Sequence, residues 1–250
     1  MRDYSADLQF YDRFTFGCAV ILVVLSVTGT VGNGLSVLIF LQPKFRHLSI
    51  NVLLASLSLS DCLFLSLALP VTCTGPLANY YRDYTLLQMS TFSYVYLYPS
   101  LCIFHTFSVW ILLAITAERW MAVCRPLLVA IYCTRSRTLL VIVITALLSV
   151  CYNVVRFWEF AIDPLTYNLL FKLRDDQAYI LWYSTVANML LMYVMPLSII
   201  GVLNVQVTFE LVRSNATRRR MTANQRADRK TAVMLLYVVL CTLFLSKYFE

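Results

Sequence analysis

Charged residues divide this chain into long apolar runs. Phe14 to Leu41 is 28 residues without Asp, Glu, Lys or Arg, and Leu48 to Cys73 holds one such residue, Asp61. Tyr84 to Ala117, Thr138 to Val155 and Gln177 to Phe209 hold none, and Thr231 to Ser246 is a sixth, shorter run of 16 residues. The runs are too long for the strands of a membrane barrel and do not alternate with period two. A bilayer core takes about 20 helical residues, which the first five runs meet or nearly meet. The predicted fold class is all-α, an integral membrane helical bundle. Its spans are placed at about 14–41, 48–73, 88–117, 138–158, 178–209 and 231–250, after an N-terminal segment 1–13. Pro70, Pro99 and Pro196 lie inside or near the starts of these helices and are predicted kinks, with neighbours or local 3₁₀ geometry satisfying the freed carbonyls.

Composition agrees: 60% of the residues are hydrophobic, 13% are charged, and the mean hydropathy is +0.72. The first 13 residues carry three Asp and two Arg, not the basic stretch of a signal peptide, so the first run is read as a span that inserts by itself. With the N-terminus outside, the inner loops 42–47, 118–137 and 210–230 carry 13 Lys/Arg against 6 in the outer segments. That is the bias expected of a multi-pass protein with an extracellular N-terminus. The net charge of +7 is therefore a topology signal and no nucleic-acid partner is expected. The basic loop 210–230 is either a solvated topology determinant, a contact for anionic lipid headgroups, or a helical extension that meets a cytosolic protein. The eight Cys lie mostly in apolar runs and show no CxxC spacing, so no metal site is indicated.

A few polar residues stand out within the runs. Asp61 is about 18 Å into the second span at 1.5 Å per residue, near the midplane, where a charge is costly and faces inward. Asn33 in the first span and Ser108 in the third reach similar depth. An acid, an amide and a hydroxyl suit a small hard cation such as Na⁺ or a proton; the plainer reading is a protonated Asp61 that only cross-links helices. Gly29, Gly32 and Gly34 are predicted close-packing positions. His105 in "LCIFHTFSVW" is a pocket-wall candidate. Tyr80, Tyr81, Tyr84, Tyr94, Tyr96 and Tyr98, with Trp182 and Tyr183, form either an interfacial aromatic belt or a ligand vestibule. Glu118-Arg119 ends the third run, where an Arg can snorkel to water. No arrangement of His, Cys, Ser and carboxylates fits catalysis, so no enzyme is expected. Thr138 to Val155 lacks the Arg series of a voltage-gated channel.

Taken in order, "GNGLSV", "LSLSD", "ERWMAVCRPL" and "YVMPLSIIGVLN" resemble a rhodopsin-like G-protein-coupled receptor over nearly the whole chain. "YVYLYPSLCIFHTFSVW" and "YNVVRFWEF" resemble invertebrate FMRFamide-type neuropeptide receptors. The resemblance implies a seven-transmembrane receptor type in which this chain supplies six spans. It implies a peptide ligand, a heterotrimeric G protein and the plasma membrane. It places an activation switch at Glu118, Arg119 and Trp120, with Glu118 restraining Arg119, and a sodium-binding interior site at Asn33, Asp61 and Ser108; no other cofactor is implied. The ligand pocket it implies is Tyr94, Tyr98, Leu101, Cys102, His105, Arg156, Trp182 and Asn188. Leu101 stands where amine receptors carry Asp, which disfavours a monoamine. There are departures. Tyr94 replaces the usual Cys, and 156–176 contains none, so the usual disulfide, worth about 2–4 kcal/mol, cannot form and a looser extracellular face is expected. Segment four lacks its Trp, segment six lacks its Pro, and Asn204 replaces a Tyr. No seventh segment follows, which leaves a truncated, non-signalling receptor as the alternative reading.

Overall fold

The computed structural model describes residues 2–45 and 47–217; the predicted sixth span, 231–250, lies outside them. Five helices are long and apolar enough to cross a membrane. They are α1 (Arg2–Phe40), α2 (Ser49–Tyr81), α3 (Tyr84–Cys124), α5 (Arg135–Asn153, prolonged by a 3₁₀ turn Val154–Trp158) and α6 (Gln177–Arg213). A short helix α4 (Pro126–Tyr132) joins α3 to α5, and strands β1 (Phe160–Ile162) and β2 (Leu169–Phe171) form a hairpin between α5 and α6. Helix is the outcome because a chain in hydrocarbon must satisfy its backbone within the segment. Hydroxyls follow the same rule. Thr28, Ser56, Ser66, Thr72, Ser149 and Ser198 each donate to the carbonyl four residues back, at 2.6–2.9 Å.

The helices run past the charge-free windows. α2 continues to Tyr81 rather than Cys73, and α3 begins at Tyr84 rather than 88 and ends at Cys124 rather than 117. Only Arg82 and Asp83 separate α2 from α3. Arg82 adopts a left-handed conformation with φ 55°, and the Asp83 side chain caps α3 by accepting from the Thr85 and Leu86 amides at 2.8 and 3.4 Å. The Arg82 guanidinium also donates to Asp12 Oδ2 of α1 at 2.8 Å. Charges expected to mark loops instead cap helices and tie them together.

Two of the predicted kinks share one device. The Tyr98 amide, just before Pro99, bonds to Ser93 O, and the Met195 amide, just before Pro196, bonds to Leu190 O, five residues back in each case. The backbone is widened to π geometry over Ser93–Leu97 and Met189–Val194. A proline ring crowds the preceding turn and lacks an N–H, and the wider turn accommodates both. Pro70 sits in α2 without such widening.

α3 is the central helix and packs against α2, α5 and α6. Leu53 and Leu57 of α2, Ile111, Leu112 and Ile115 of α3 and Ile200 of α6 form the main core. A second cluster joins Ala68 and Val71 to Leu101 nearer the hairpin. The opposite faces of α1 and α5 expose Ile21, Leu25, Leu38, Leu140, Val143 and Leu147, as a lipid-contacting surface should. Of the glycines predicted to permit close packing, Gly29 does so: a Cβ there would lie 2.7 Å from a Leu65 methyl. Among the described residues, nothing lies within 4 Å of a Cβ placed at Gly32 or Gly34.

Ile115 is fully buried and Ile144 is exposed on α5. Lipid tails are as apolar as either side chain, so what a truncation removes in the bundle is packing contact rather than hydrophobic burial. Ile115→Ala is expected to cost about 2 kcal/mol or more, and Ile144→Ala to leave the unfolding midpoint of the bilayer-embedded protein unchanged; thermal unfolding in nanodiscs compares the two.

Candidate functional site

After Trp158 the chain leaves α5 and returns as the antiparallel hairpin, pairing Phe160 with Phe171, Ala161 with Leu170 and Ile162 with Leu169. Asp163 organises the turn. Its carboxylate accepts from the Leu165 amide at 3.1 Å and the Thr166 hydroxyl at 2.5 Å, and its carbonyl accepts from the Tyr167 amide at 2.9 Å. The Thr166 hydroxyl, and then the Leu165 amide, hold the Asp163 carboxyl below its ordinary range.

At the base of the hairpin is a buried polar network. Glu159 is 0% exposed and Arg156 4%. They lie one helical turn apart, and Arg156 Nη1 donates to Glu159 Oε1 at 3.2 Å and to the Tyr98 hydroxyl at 3.1 Å. Arg156 Nε donates to Asn153 Oδ1 at 3.0 Å. Asn153 Nδ2 in turn reaches Thr106 Oγ1 of α3 at 2.8 Å. From α6 the Tyr179 hydroxyl donates to Glu159 Oε1 at 2.6 Å. Arg174, just after β2, brings Nε within 3.9 Å of Glu159 Oε2. The Arg156 guanidinium also lies 5.2 Å from the Tyr183 ring centroid. One acid and one base thereby join α3, α5, the hairpin and α6.

This network borders a small pocket of about 60 Å³ between the helix ends. Tyr98, Leu101, Cys102, His105, Arg156 and Asn188, all predicted pocket residues, line it together. Its wall also includes Arg174 and Tyr193, which the sequence reading did not single out. Tyr94 borders a separate recess between α1, α2 and α3, which shares Tyr98 with the first. Trp182 is 66% exposed on the outer face of α6 and does not join the pocket, so here the belt reading fits.

Deeper in the bundle, the Ser108 hydroxyl donates to Asp61 Oδ1 at 2.7 Å and lies 3.0 Å from Ser60 Oγ, while the Ser60 hydroxyl donates to Phe104 O at 3.1 Å. Two hydroxyl protons serve three contacts. A proton on Asp61, passed along as Asp61 to Ser108 to Ser60, would fill all three. Asn33 is half-buried on α1, and no hydrogen bond among the described residues joins it to Asp61 or Ser108.

At the opposite end of α3, Glu118 is buried and accepts from the Ser49 hydroxyl at the start of α2 at 2.5 Å. Arg119 is half-buried beside it. Trp120 Nε1 donates to Gln206 Oε1 of α6 at 2.6 Å, tying α3 to α6. The three predicted switch residues are adjacent, but the Glu118 hydrogen bond goes to α2.

A sequence model described as "7 transmembrane receptor (rhodopsin family)" matches residues 32–248. The chain belongs to this receptor family. It is therefore a multi-pass membrane protein, and its family is a receptor family rather than an enzyme class. Among characterised proteins it is 35% identical over 216 residues to the "FMRFamide peptide receptor frpr-18" of Caenorhabditis elegans, covering 83% of this chain and 49% of that one. It is 27% identical over 249 residues to the "FMRFamide receptor" of Drosophila melanogaster, covering 92% and 44%. It is 26% identical over 239 residues to the human "Neuromedin-U receptor 2", covering 91% and 56%. The chain spans about half the length of these relatives.

Removing one partner of a buried ion pair strands the other charge and costs about 3–5 kcal/mol. Arg156→Met in the receptor is expected to lose stability on that scale, and Arg156→Met with Glu159→Gln to recover part of it. Unfolding curves of the single and double variants measure the coupling.

Proposed function

We propose that this receptor binds a neuropeptide of the FMRFamide type in the pocket beside the hairpin and passes the signal to a heterotrimeric G protein at the Glu118–Arg119 end. The observation that carries the reading is the 35% identity to the nematode FMRFamide receptor over 83% of the chain. The pocket supports it. Its aromatic and aliphatic walls suit apolar peptide side chains, and Arg174, His105 and Asn188 supply polar contacts, a combination typical of ligand sites. The inner-loop excess of Lys and Arg supports an extracellular N-terminus and hairpin, with the receptor in the plasma membrane. At the cytoplasmic end, α4 presents Leu127 at 85% exposure beside the α3 terminus, an apolar projection suited to a protein partner. Peptide binding would shift the population toward a state in which the Trp120–Gln206 tie between α3 and α6 opens and Arg119 becomes accessible.

Asp61 and Ser108 are placed in this reading as an interior ion site. A carboxylate and two hydroxyls are hard oxygen donors and fit Na⁺, with Asn33 the weakest member of the proposed set. A bound sodium ion would neutralise Asp61 in place of a proton. Exchanging choline chloride for NaCl at equal ionic strength is expected to raise the thermal midpoint of the receptor, and Asp61→Asn to abolish the difference.

The functional test uses the full-length receptor, a panel of FMRFamide and related amidated peptides, and a G-protein activation readout. A saturable response is expected. Silence across the panel at normal surface expression would overturn the peptide assignment. Against a responding peptide, Asn188→Ala should lower potency about tenfold, equivalent to one hydrogen bond of about 1.4 kcal/mol, whereas Trp182→Ala should leave it unchanged.

A further inference from the structure

The hairpin is tied down without any disulfide. No cysteine lies in 156–176, and every cysteine among the described residues is a free thiol. Three sets of contacts hold the strap instead. At its base, the Lys172 amide donates to Glu159 O at 2.9 Å, and the Glu159 side chain meets Arg156, Tyr179 and Arg174. Above that base, Phe160 is buried as a wedge. Its ring is 6.1 Å from Tyr94, 5.8 Å from Tyr98 and 5.7 Å from Phe171, each steeply inclined as edge-to-face pairs prefer. The Arg174 guanidinium covers the same ring at 5.5 Å. Tyr94 and Tyr98, four residues apart, share one side of α3 with their rings 6.3 Å apart and receive the wedge.

We propose that Glu159 and Phe160 form a thiol-independent clasp that holds the hairpin, and with it Arg174, at the mouth of the pocket, so that the mouth keeps its shape under reducing as well as oxidising conditions. Glu159 and Phe160 are adjacent, both buried, and point into different environments, one polar and one aromatic. A hairpin pinned through both cannot pivot about either. Strands of three residues have too few ladder bonds to hold themselves, so the clasp carries the fold of the strap. The clasp does not depend on which ligand the pocket takes.

Hydrogen–deuterium exchange of the full-length receptor in lipid nanodiscs, with and without tris(2-carboxyethyl)phosphine, tests it. Exchange over 160–171 is expected to be the same in both conditions. Phe160→Ala should accelerate exchange there at least tenfold while peptides of α2 keep wild-type protection, which serves as the folding check. Tyr94→Ala should act in the same direction, and Tyr94→Phe, which keeps the ring, should not. A reductant-dependent rise in wild-type hairpin exchange would overturn the clasp. So would wild-type protection retained in both Phe160→Ala and Tyr94→Ala. If neither alanine variant folds, the reductant comparison on the wild type decides.

Discussion

A carboxylate with no access to water has to be matched by donors at close range, and Glu159 sets that constraint for one whole end of this bundle. Desolvating an acid and a base is costly, and the cost is offset only when geometry is good and the remaining donors find partners. Arg156 spreads its guanidinium over Glu159, Tyr98 and Asn153, while Glu159 accepts from Arg156 and Tyr179 on Oε1 and has Arg174 3.9 Å from Oε2. Asn153 and Glu159 flank Arg156 at the end of α5 and the base of the hairpin, and Tyr98 comes from α3. Satisfying the pair therefore fixes the end of α5 against α3, docks the start of α6 through Tyr179, and anchors the hairpin. The pocket is the space left between elements held in this way.

At the other end of the bundle, the Ser49 hydroxyl donates to Glu118 and the Trp120 indole donates to Gln206, linking α2, α3 and α6. Between the two ends, hydrogen bonds among Asp61, Ser60 and Ser108 link α2 to α3.

The spans were legible because lipid leaves only one economical backbone solution for a long apolar run, and five of the six predicted spans lie on described helices. The ends of those helices were not. Arg82 and Asp83 read as a loop, since charge usually marks one, whereas a left-handed cap and an Asp N-cap let two helices meet across two residues. Six of the eight proposed pocket residues came together because their depths on α3, α5 and α6 follow from counting along helices. Glu159, Phe160, Arg174 and Tyr179 were missed. They lie where periodicity ends, and the hairpin strands are three residues each, too short to leave an alternating pattern. One signal was available: Arg156 and Glu159 are three residues apart at the end of an apolar helix, the spacing at which opposite charges share a face. Tyr94 was noticed as a departure expected to loosen this end, and its ring packs on the residue that secures it.

The commitment of Arg156 to three partners has a consequence for how such a receptor diversifies. A change at either member of the buried pair alone leaves a stranded charge, so the two positions are constrained as a unit. Apolar side chains of the pocket wall, such as Leu101, strand no charge when they change. Change at the pocket would then begin at such positions and leave the charged pair in place.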